Sequence, residues 1–264
     1  MRIATLALLA STIAAPATAG VLSNHLAASY ANIGPSNIFT LNNACGCDPT
    51  FSSATIDQFT LGATSHLTSV QAALVEIDQN DPSYSVAPHF GGFNKTQGYQ
   101  VNVYSSAAAA AANLTGDVYS HEFAPTAPSF GAALDIAGTG FAPYSSGSTL
   151  ATFAIDATLG AGTYWLSVIS RNDPDIDGQE SIFVGLSGTG SARLANPGGA
   201  WVDAFGFGVG TQFAFSDLPG FASRAGYAVS GTVPEPASWA LLITGFGFIG
   251  GGLRARRATL VPAG

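Results

Sequence analysis

Residues 159–170 read LGAGTYWLSVIS, a tight turn followed by an extended segment. Gly160 and Gly162 give the turn the backbone freedom that it requires. After the turn, Tyr164, Leu166 and Val168 fall on one face of an extended chain, and the residues between them fall on the other. Large side chains at every second position are typical of a β-strand. The segment therefore predicts a strand that begins directly after a turn.

Further strand signals lie on both sides of this segment. Apolar residues at every second position, with polar residues between them, indicate half-buried strands. Residues 67–77 are also extended by preference, although their alanine-rich middle could be helical. The other ranges with strand signals are Tyr99–Val103, Val118–Phe123, Ala151–Ile155, Ser181–Leu186, Trp201–Val209, Gln212–Phe215 and Tyr227–Gly231.

Strands at short spacing, separated by Gly, Pro and Asn turns, predict an all-β protein. We expect one β-sandwich, jelly-roll-like, over residues 20–232. Its core would be built from the 17 Phe, 8 Tyr and 3 Trp of the chain. The helix candidate is Ala107–Ala112, a run of six alanines. Six residues are too few to nucleate a helix alone, so we expect a loop or a single turn there.

The charge pattern excludes one class of function. The chain has 16 acidic and 8 basic residues. Nucleic-acid affinity depends on basic clusters that displace counterions from phosphates, and residues 20–232 contain none. We therefore expect no nucleic acid among the partners. Removing the charges of the two chain ends leaves 15 acidic and 4 basic residues, a formal charge of −11; the charges removed are Arg2, Glu235, Arg254, Arg256 and Arg257.

Residues 1–19 have the pattern of a secretory signal peptide. Arg2 is the one charge in the segment, a mostly apolar stretch follows it through Ile13, and the segment ends with Ala-Thr-Ala. A basic start, a short apolar helix and an Ala-x-Ala site are the three parts of such a signal. We expect export, with cleavage between Ala19 and Gly20.

The segment from Val233 to Gly264 reads VPEPASWALLITGFGFIGGGLRARRATLVPAG. Residues 237–253 carry no charge, and 17 residues at about 1.5 Å each make a helix of roughly 25 Å, close to the thickness of a hydrocarbon core. Trp239 at one end and a basic cluster at the other are typical of an interfacial anchor and a cytoplasmic flank. We expect a transmembrane helix at about 237–253 with its C-terminal end inside.

This tail resembles the PEP-CTERM protein-sorting signal, which here occupies residues 233–258 and is followed by a short tail, residues 259–264. The resemblance implies that the export machinery and a membrane-embedded sorting transpeptidase are partners. It implies an inner-membrane-anchored precursor that is cleaved near the motif and passed to the cell surface or extracellular matrix. The residues that carry it are Pro234, Glu235, Pro236, Trp239, Ala240, Gly245–Gly247, Leu253, Arg254, Arg256 and Arg257.

The region before the tail resembles the ectodomains of other proteins that bear this sorting signal. The matching segments are Asp57–Leu61, Tyr99–Ser105 and Leu159–Val168, in that order. The resemblance implies a single sandwich domain. It implies no catalytic residue, because none is generally assigned in that group.

An acidic segment, residues 172–180, is the sharpest candidate for a metal site and reads NDPDIDGQE. Asp173, Asp175 and Asp177 resemble the first half of a calcium loop, in which alternate oxygens converge on the cation. The second half of the calcium-loop pattern is not matched, because Val184 occupies the position where a bidentate Glu is needed. The alternative is a solvated acidic turn between two strands. Calcium is the one cofactor that the sequence suggests.

The remaining polar residues match no catalytic motif. His25, His66, His89 and His121 lie outside any metal or protease pattern, and we expect each to be a surface or strand residue. Ser187 lies in Gly-Leu-Ser-Gly-Thr, in which the final glycine is displaced relative to a nucleophile elbow. We therefore expect a protein that is not an enzyme.

Two tryptophans and two cysteines leave alternatives open. Trp201 follows a Pro-Gly-Gly turn and is the candidate for an exposed sugar-stacking side chain, whereas we expect Trp165 in the core. Cys45 and Cys47 are one residue apart, and a bridge between them would be strained. A local bridge and two inert thiols both stay open.

Together these features predict an exported surface or matrix protein of a Gram-negative bacterium with a structural or interaction role. A carbohydrate-binding module that recognises exopolysaccharide through Trp201 is the alternative. A secreted hydrolase is the third interpretation, since two carboxylates need only converge in space to hydrolyse a glycoside.

Overall fold

The computed structural model describes residues 19–26, 30–39, 52–77, 96–134, 147–172, 179–185, 191–197, 212–214, 224–234 and 246–247. The chain divides into two compact units. One unit comprises residues 19–232, and the other comprises residues 1–18 and 233–264. All the strands described below, and the helix at Ala107–Ala112, belong to the first unit.

The described strands form two sheets, and the protein is all-β. The first sheet has eight strands: β1 (Gly20–Asn24), β2 (Tyr30–Pro35), β5 (Ser65–Ile77), β8 (Ser129–Ala133), β9 (Gly147–Leu159), β11 (Gln179–Gly185), β14 (Arg224–Ala225) and β15 (Tyr227–Thr232). The second has seven: β3 (Asn37–Phe39), β4 (Ala54–Leu61), β6 (Gly98–Tyr104), β7 (Tyr119–Phe123), β10 (Gly162–Asn172), β12 (Arg193–Ala195) and β13 (Gln212–Ala214).

The long strand β5 organises the first sheet. It pairs with β9 along one edge, and along the other edge it pairs first with β15 and then with β11. β15 pairs with β1, β11 pairs with β2 and β14, and β9 pairs with β8. Every one of these pairs is antiparallel. The first and last described strands of the unit, β1 and β15, are therefore neighbours.

The second sheet is built around β10, the strand that the turn-and-alternation pattern of residues 159–170 predicts. Its order is β13-β12-β4-β10-β6-β7, and these neighbours are antiparallel. The short strand β3 pairs in parallel with the end of β10. Leu166 and Val168 of β10 face the core, as the alternation predicts.

The two sheets share one apolar core. Its members come from both sheets, such as Phe153 and Val229 from the first and Val101 and Leu166 from the second. The ring of Phe153 contacts the ring of Tyr99 edge-on, with ring centroids 5.4 Å apart. Burial of these side chains holds the sheets face to face, at roughly 25 cal/mol for each Å² of apolar surface removed from water.

Both faces of β6 are buried, so the prediction of a half-buried strand is wrong there. Gln100 is 5% exposed and Asn102 is fully buried. The Asn102 amide accepts hydrogen bonds from the Gly116 N–H and the Ser120 hydroxyl, and it donates one to Ser167. Polar side chains can be buried when hydrogen bonds replace those to water, and hydropathy alone does not reveal such partners.

The alanine run forms a short helix, α1 (Ala107–Ala112). Of the two alternatives expected from the sequence, a loop or a single helical turn, the structure has the helical turn. The Ser106 side chain caps it by accepting a hydrogen bond from the Ala109 N–H at 3.1 Å. Ala107 and Ala110 pack with Tyr104 and Ile169 in a second cluster on the outer face of the second sheet. The cap and this packing supply the stability that six alanines alone lack.

The predicted strand over residues 67–77 is confirmed, since it lies within β5. The strand signal at 201–209 lies outside the described residues.

Phe246 and Gly247 are helical and exposed. No helix within the described ranges is long and apolar enough to cross a membrane. The expected helix at about 237–253 lies outside these ranges except for residues 246–247, as does the expected signal helix in residues 1–18.

Candidate functional site

A buried carboxylate lies where the first and second sheets meet. Side chains alternate along β4, so Phe59 and Leu61 enter the core at positions that share a face with Asp57. The Asp57 side chain is 1% exposed. A carboxylate in such a place is costly unless charged groups or hydrogen-bond donors surround it.

Hydrogen-bond donors occupy both oxygens of this carboxylate. Oδ1 accepts from the Gln58 N–H and the Ser191 hydroxyl, each at 2.7 Å, and Oδ2 accepts from the Ala225 N–H at 2.9 Å. Nη1 of Arg224 lies 3.4 Å from Oδ1, and the Arg224 side chain is 30% exposed. Because Ala225 belongs to the first sheet and Asp57 to the second, these contacts join the two sheets.

A histidine completes the surroundings of the carboxylate. Nδ1 of His25 lies 3.2 Å from Oδ2 of Asp57, and the His25 side chain is 17% exposed. Nε2 of the same ring lies 3.3 Å from the Ser23 hydroxyl oxygen. We call Ser23, His25, Asp57, Ser191 and Arg224 the Asp57 cluster. It brings together a carboxylate, an imidazole, a guanidinium and two hydroxyl groups.

Two backbone features place Ser23 and His25. The two residues are separated by one position, so they lie on the same side of an extended chain. The His25 N–H donates to the Tyr227 carbonyl at 2.8 Å, which continues the pairing of β1 with β15. The register shifts between Val21 and Ser23, and such a bulge re-aims the side chains beside it.

A small pocket opens beside the cluster. Its walls include the apolar side chains of Phe59, Leu166 and Val229, and Ser23, His25, Asp57, Gln58 and Tyr227 also line it. The pocket is shallow: it spans about 180 Å³ when the open solvent at its mouth is included, and its enclosed part has room for about one water molecule. Polar groups of the cluster therefore face a space with apolar walls.

The Tyr227 hydroxyl is buried next to this pocket. It donates a hydrogen bond to the Thr55 carbonyl at 2.7 Å and accepts one from the Val168 N–H at 3.3 Å. Burial raises the pKa of the Tyr227 phenol far above its ordinary value, and the negative charge of Asp57 acts in the same direction. The phenol is therefore neutral and links the two sheets through hydrogen bonds.

Other charged side chains in the described ranges make simpler contacts. His66 Nε2 lies 2.7 Å from Asp156 Oδ1, and the Asp156 side chain is 93% exposed. Arg171 Nη1 lies 2.6 Å from Glu122 Oε1, also near the surface. The guanidinium of Arg193 lies 5.7 Å from the ring centroid of Trp165, which packs against the second cluster. The first two of these contacts lie near the surface, and the third is partly buried.

Most residues that the sequence singles out lie outside the described ranges. Ala19, Gly20 and Pro234 are described, and all three are exposed. The calcium candidate and the sugar-stacking candidate stay predictions. Within the described ranges, no group of three or more His, Cys, Asp or Glu side chains could hold a metal ion. The residues outside these ranges are Glu235, Pro236, Trp239, Ala240, Arg254, Arg256, Arg257, Asp173, Asp175, Asp177, Trp201, Cys45 and Cys47.

The sequence does not identify the Asp57 cluster. His25 is expected to be a surface or strand residue, and it is instead mostly buried against Asp57. One signal points to it: Asp57 occupies an inward position of an alternating strand, two residues before Phe59. A charge at a core position indicates a partner elsewhere in the fold, but the pattern does not tell which partner.

Comparison with protein-family models finds no match to this chain. Comparison with curated proteins likewise finds no relative.

Proposed function

We propose that the chain is an exported protein of the cell surface or extracellular matrix of a Gram-negative bacterium, with a structural or interaction role. In this proposal residues 1–19 direct export, residues 20–232 form a jelly-roll-like β-sandwich, and residues 233–258 hold the precursor in the inner membrane. A membrane-embedded sorting transpeptidase then removes the membrane segment. The signal-peptide pattern of residues 1–19 supports the export step, and the Pro-Glu-Pro tail supports the sorting step.

One structural observation carries the proposal: the compact unit spans residues 19–232, between the two expected processing points. Within it Gly20 lies opposite Gly231, and Asn24 lies opposite Ala228, in the antiparallel ladder of β1 and β15. Cleavage after Ala19 and cleavage near Pro234 both fall outside this ladder. The unit therefore keeps its hydrogen bonds when both ends are removed.

The backbone at both points is accessible, as a processing enzyme requires. Ala19 and Gly20 are exposed, and so are Val233 and Pro234. Proteolysis favours exposed segments next to the ends of regular structure. The formal charge of −11 for residues 20–232 disfavours phosphate-rich partners.

The test compares two variants of the full chain in a host that encodes a PEP-CTERM transpeptidase. Glu235→Ala alters the signature, and Val233→Ala alters a neighbouring exposed residue outside it. We expect Glu235→Ala to accumulate as a membrane-held precursor with an intact tail, and Val233→Ala to be released like the unaltered protein. Equal release of both variants would remove the sorting step from the proposal.

A further inference from the structure

The contacts of Ser23, His25 and Asp57 follow the order of a hydrolytic triad. The Ser23 oxygen lies 3.3 Å from Nε2 of His25, and Nδ1 of the same ring lies 3.2 Å from Oδ2 of Asp57. We propose that these residues form a Ser–His–Asp site that hydrolyses esters of short acyl groups. A nucleophile, a base and an orienting carboxylate in this order define such a site on unrelated folds.

The partners of His25 set its tautomer. Asp57 is a carboxylate and only accepts, so Nδ1 of His25 carries a proton and donates it. Nε2 of the neutral ring then holds a lone pair that faces the Ser23 hydroxyl. The base is therefore positioned to take the proton of Ser23.

Hydrogen bonds fix the Asp57 carboxylate in place, as the orienting role requires. It is 1% exposed, and two backbone N–H groups and the Ser191 hydroxyl donate to it. Oδ2, which accepts from the Ala225 N–H, also faces Nδ1 of His25. Donors that fix a buried carboxylate also fix the ring bound to it, and rate depends steeply on such positioning.

The shallow pocket limits the size of the acyl group that the site can accept. The enclosed part of the pocket has room for about one water molecule, and the rest of its roughly 180 Å³ is open space at the mouth, so a substrate would react at the mouth. Phe59, Leu166 and Val229 offer apolar contact, and each is at most 4% exposed. A small acyl group such as acetyl can approach so shallow a site, whereas a long acyl chain finds no cleft that would enclose it.

The reaction balances without a cofactor. The Ser23 oxygen bonds to the ester carbonyl carbon while its proton moves to Nε2 of His25. The bond between that carbon and the alkoxy oxygen then breaks, and the leaving alcohol takes the proton from His25. Water, deprotonated by His25, attacks the acyl-serine in turn, which releases the acid and returns the proton to Ser23. The sum is ester and water giving alcohol and carboxylic acid.

A purely structural role would account for part of the cluster but not for Ser23. Asp57, Ser191, Arg224 and Ala225 join the two sheets whether or not Ser23 carries a hydroxyl. The Ser23 hydroxyl lies within hydrogen-bond distance of His25. Replacing this hydroxyl therefore separates catalysis from stability.

The experiment uses the full chain purified in detergent, with 4-nitrophenyl acetate and 4-nitrophenyl octanoate as probes. We expect release of nitrophenol from the acetate and little from the octanoate. Ser23→Ala should lower the acetate rate about 100-fold or more, as loss of a nucleophile does. Ser230→Ala is the matched control, because Ser230 lies on the neighbouring strand β15 outside the cluster, and it should keep the rate.

A second measurement does not depend on turnover. A fluorophosphonate loses fluoride to an activated serine and leaves a stable phosphonyl adduct. We expect peptide mass spectrometry to find this adduct on Ser23 and to find it absent after His25→Gln. If the reagent leaves Ser23 unmodified and the acetate rate of Ser23→Ala equals that of the unaltered protein, the cluster only joins the sheets and the proposal is wrong.

Discussion

The carboxylate of Asp57 lies 3.2 Å from Nδ1 of His25, and the contact connects strand β4 of the second sheet with the residue that follows β1. The Ser191 hydroxyl and the Ala225 N–H donate to the same carboxylate. One buried side chain thus anchors three segments that are distant in sequence.

Asp57→Ala should lower the free energy of unfolding by about 3–5 kcal/mol, because it leaves buried donors without an acceptor. Urea midpoints measure this change. The matched control is Asp156→Ala, which removes a carboxylate that is 93% exposed and also pairs with a histidine. It should change stability by no more than about 0.5 kcal/mol. Similar losses in the two variants would show that the Asp57 contacts contribute little.

Gly231→Ala should destabilise the fold by about 2 kcal/mol or more, because the new methyl group has no space. Its position would overlap the His66 carbonyl oxygen and lie 2.9 Å from Cα of Leu67, both in the backbone of β5. Gly62→Ala is the control, since nothing lies within 4 Å of its added methyl group. Thermal unfolding of the two variants checks the difference. A harmless Gly231→Ala would contradict the close pairing of β15 with β5.

Tyr227→Phe should cost about 1–3 kcal/mol at neutral pH, because the Thr55 carbonyl and the Val168 N–H lose a buried partner. It should also flatten the alkaline dependence of stability. The folded pKa of Tyr227 is raised, chiefly by burial, so its stabilising effect is complete below the ordinary tyrosine pKa of about 10 and is lost as pH rises from there toward the folded pKa. Urea unfolding between neutral and alkaline pH measures both effects. Parallel curves for the two proteins would refute this account.

Asp117→Asn tests how the stability of the fold depends on pH in the acid range. Burial tends to raise the pKa of Asp117, but hydrogen bonds from the Ser105 hydroxyl and N–H outweigh it and hold the pKa below the ordinary value. The resulting stability is present above the ordinary aspartate pKa of about 3.9 and is lost as pH falls through the folded pKa. The variant should be less stable than the unaltered protein at neutral pH and should approach it in acid. A gap that persists at low pH would assign the effect to something other than this charge.

Local pattern predicts the elements of this fold better than their arrangement. The strand after Gly162 follows from alternation, and β10 begins at that residue. The burial of Asn102 on β6 could not be predicted, because its partners, Ser167 and Ser120, come from neighbouring strands. Likewise, no local feature shows that β5 pairs with both β15 and β11 along one edge.

The candidate site was even less accessible to sequence analysis. Ser23 and His25 lie far from Asp57 in sequence, and they meet it only because β1 pairs with β15 beside the second sheet. No sequence motif predicts this contact, because it depends on the tertiary structure. The proposed export and sorting signals are the opposite case, because each is a contiguous stretch of sequence.

The central claim is that residues 20–232 form a β unit that is released after processing at both ends. Intact mass spectrometry of the protein recovered from the surface fraction of a host with a PEP-CTERM transpeptidase tests it most directly. We predict one species that begins at Gly20 and ends near Pro234–Pro236, without the arginines at 254–257. A species that retains Met1 or Arg257, or recovery of the protein from the cytosol alone, would contradict the claim.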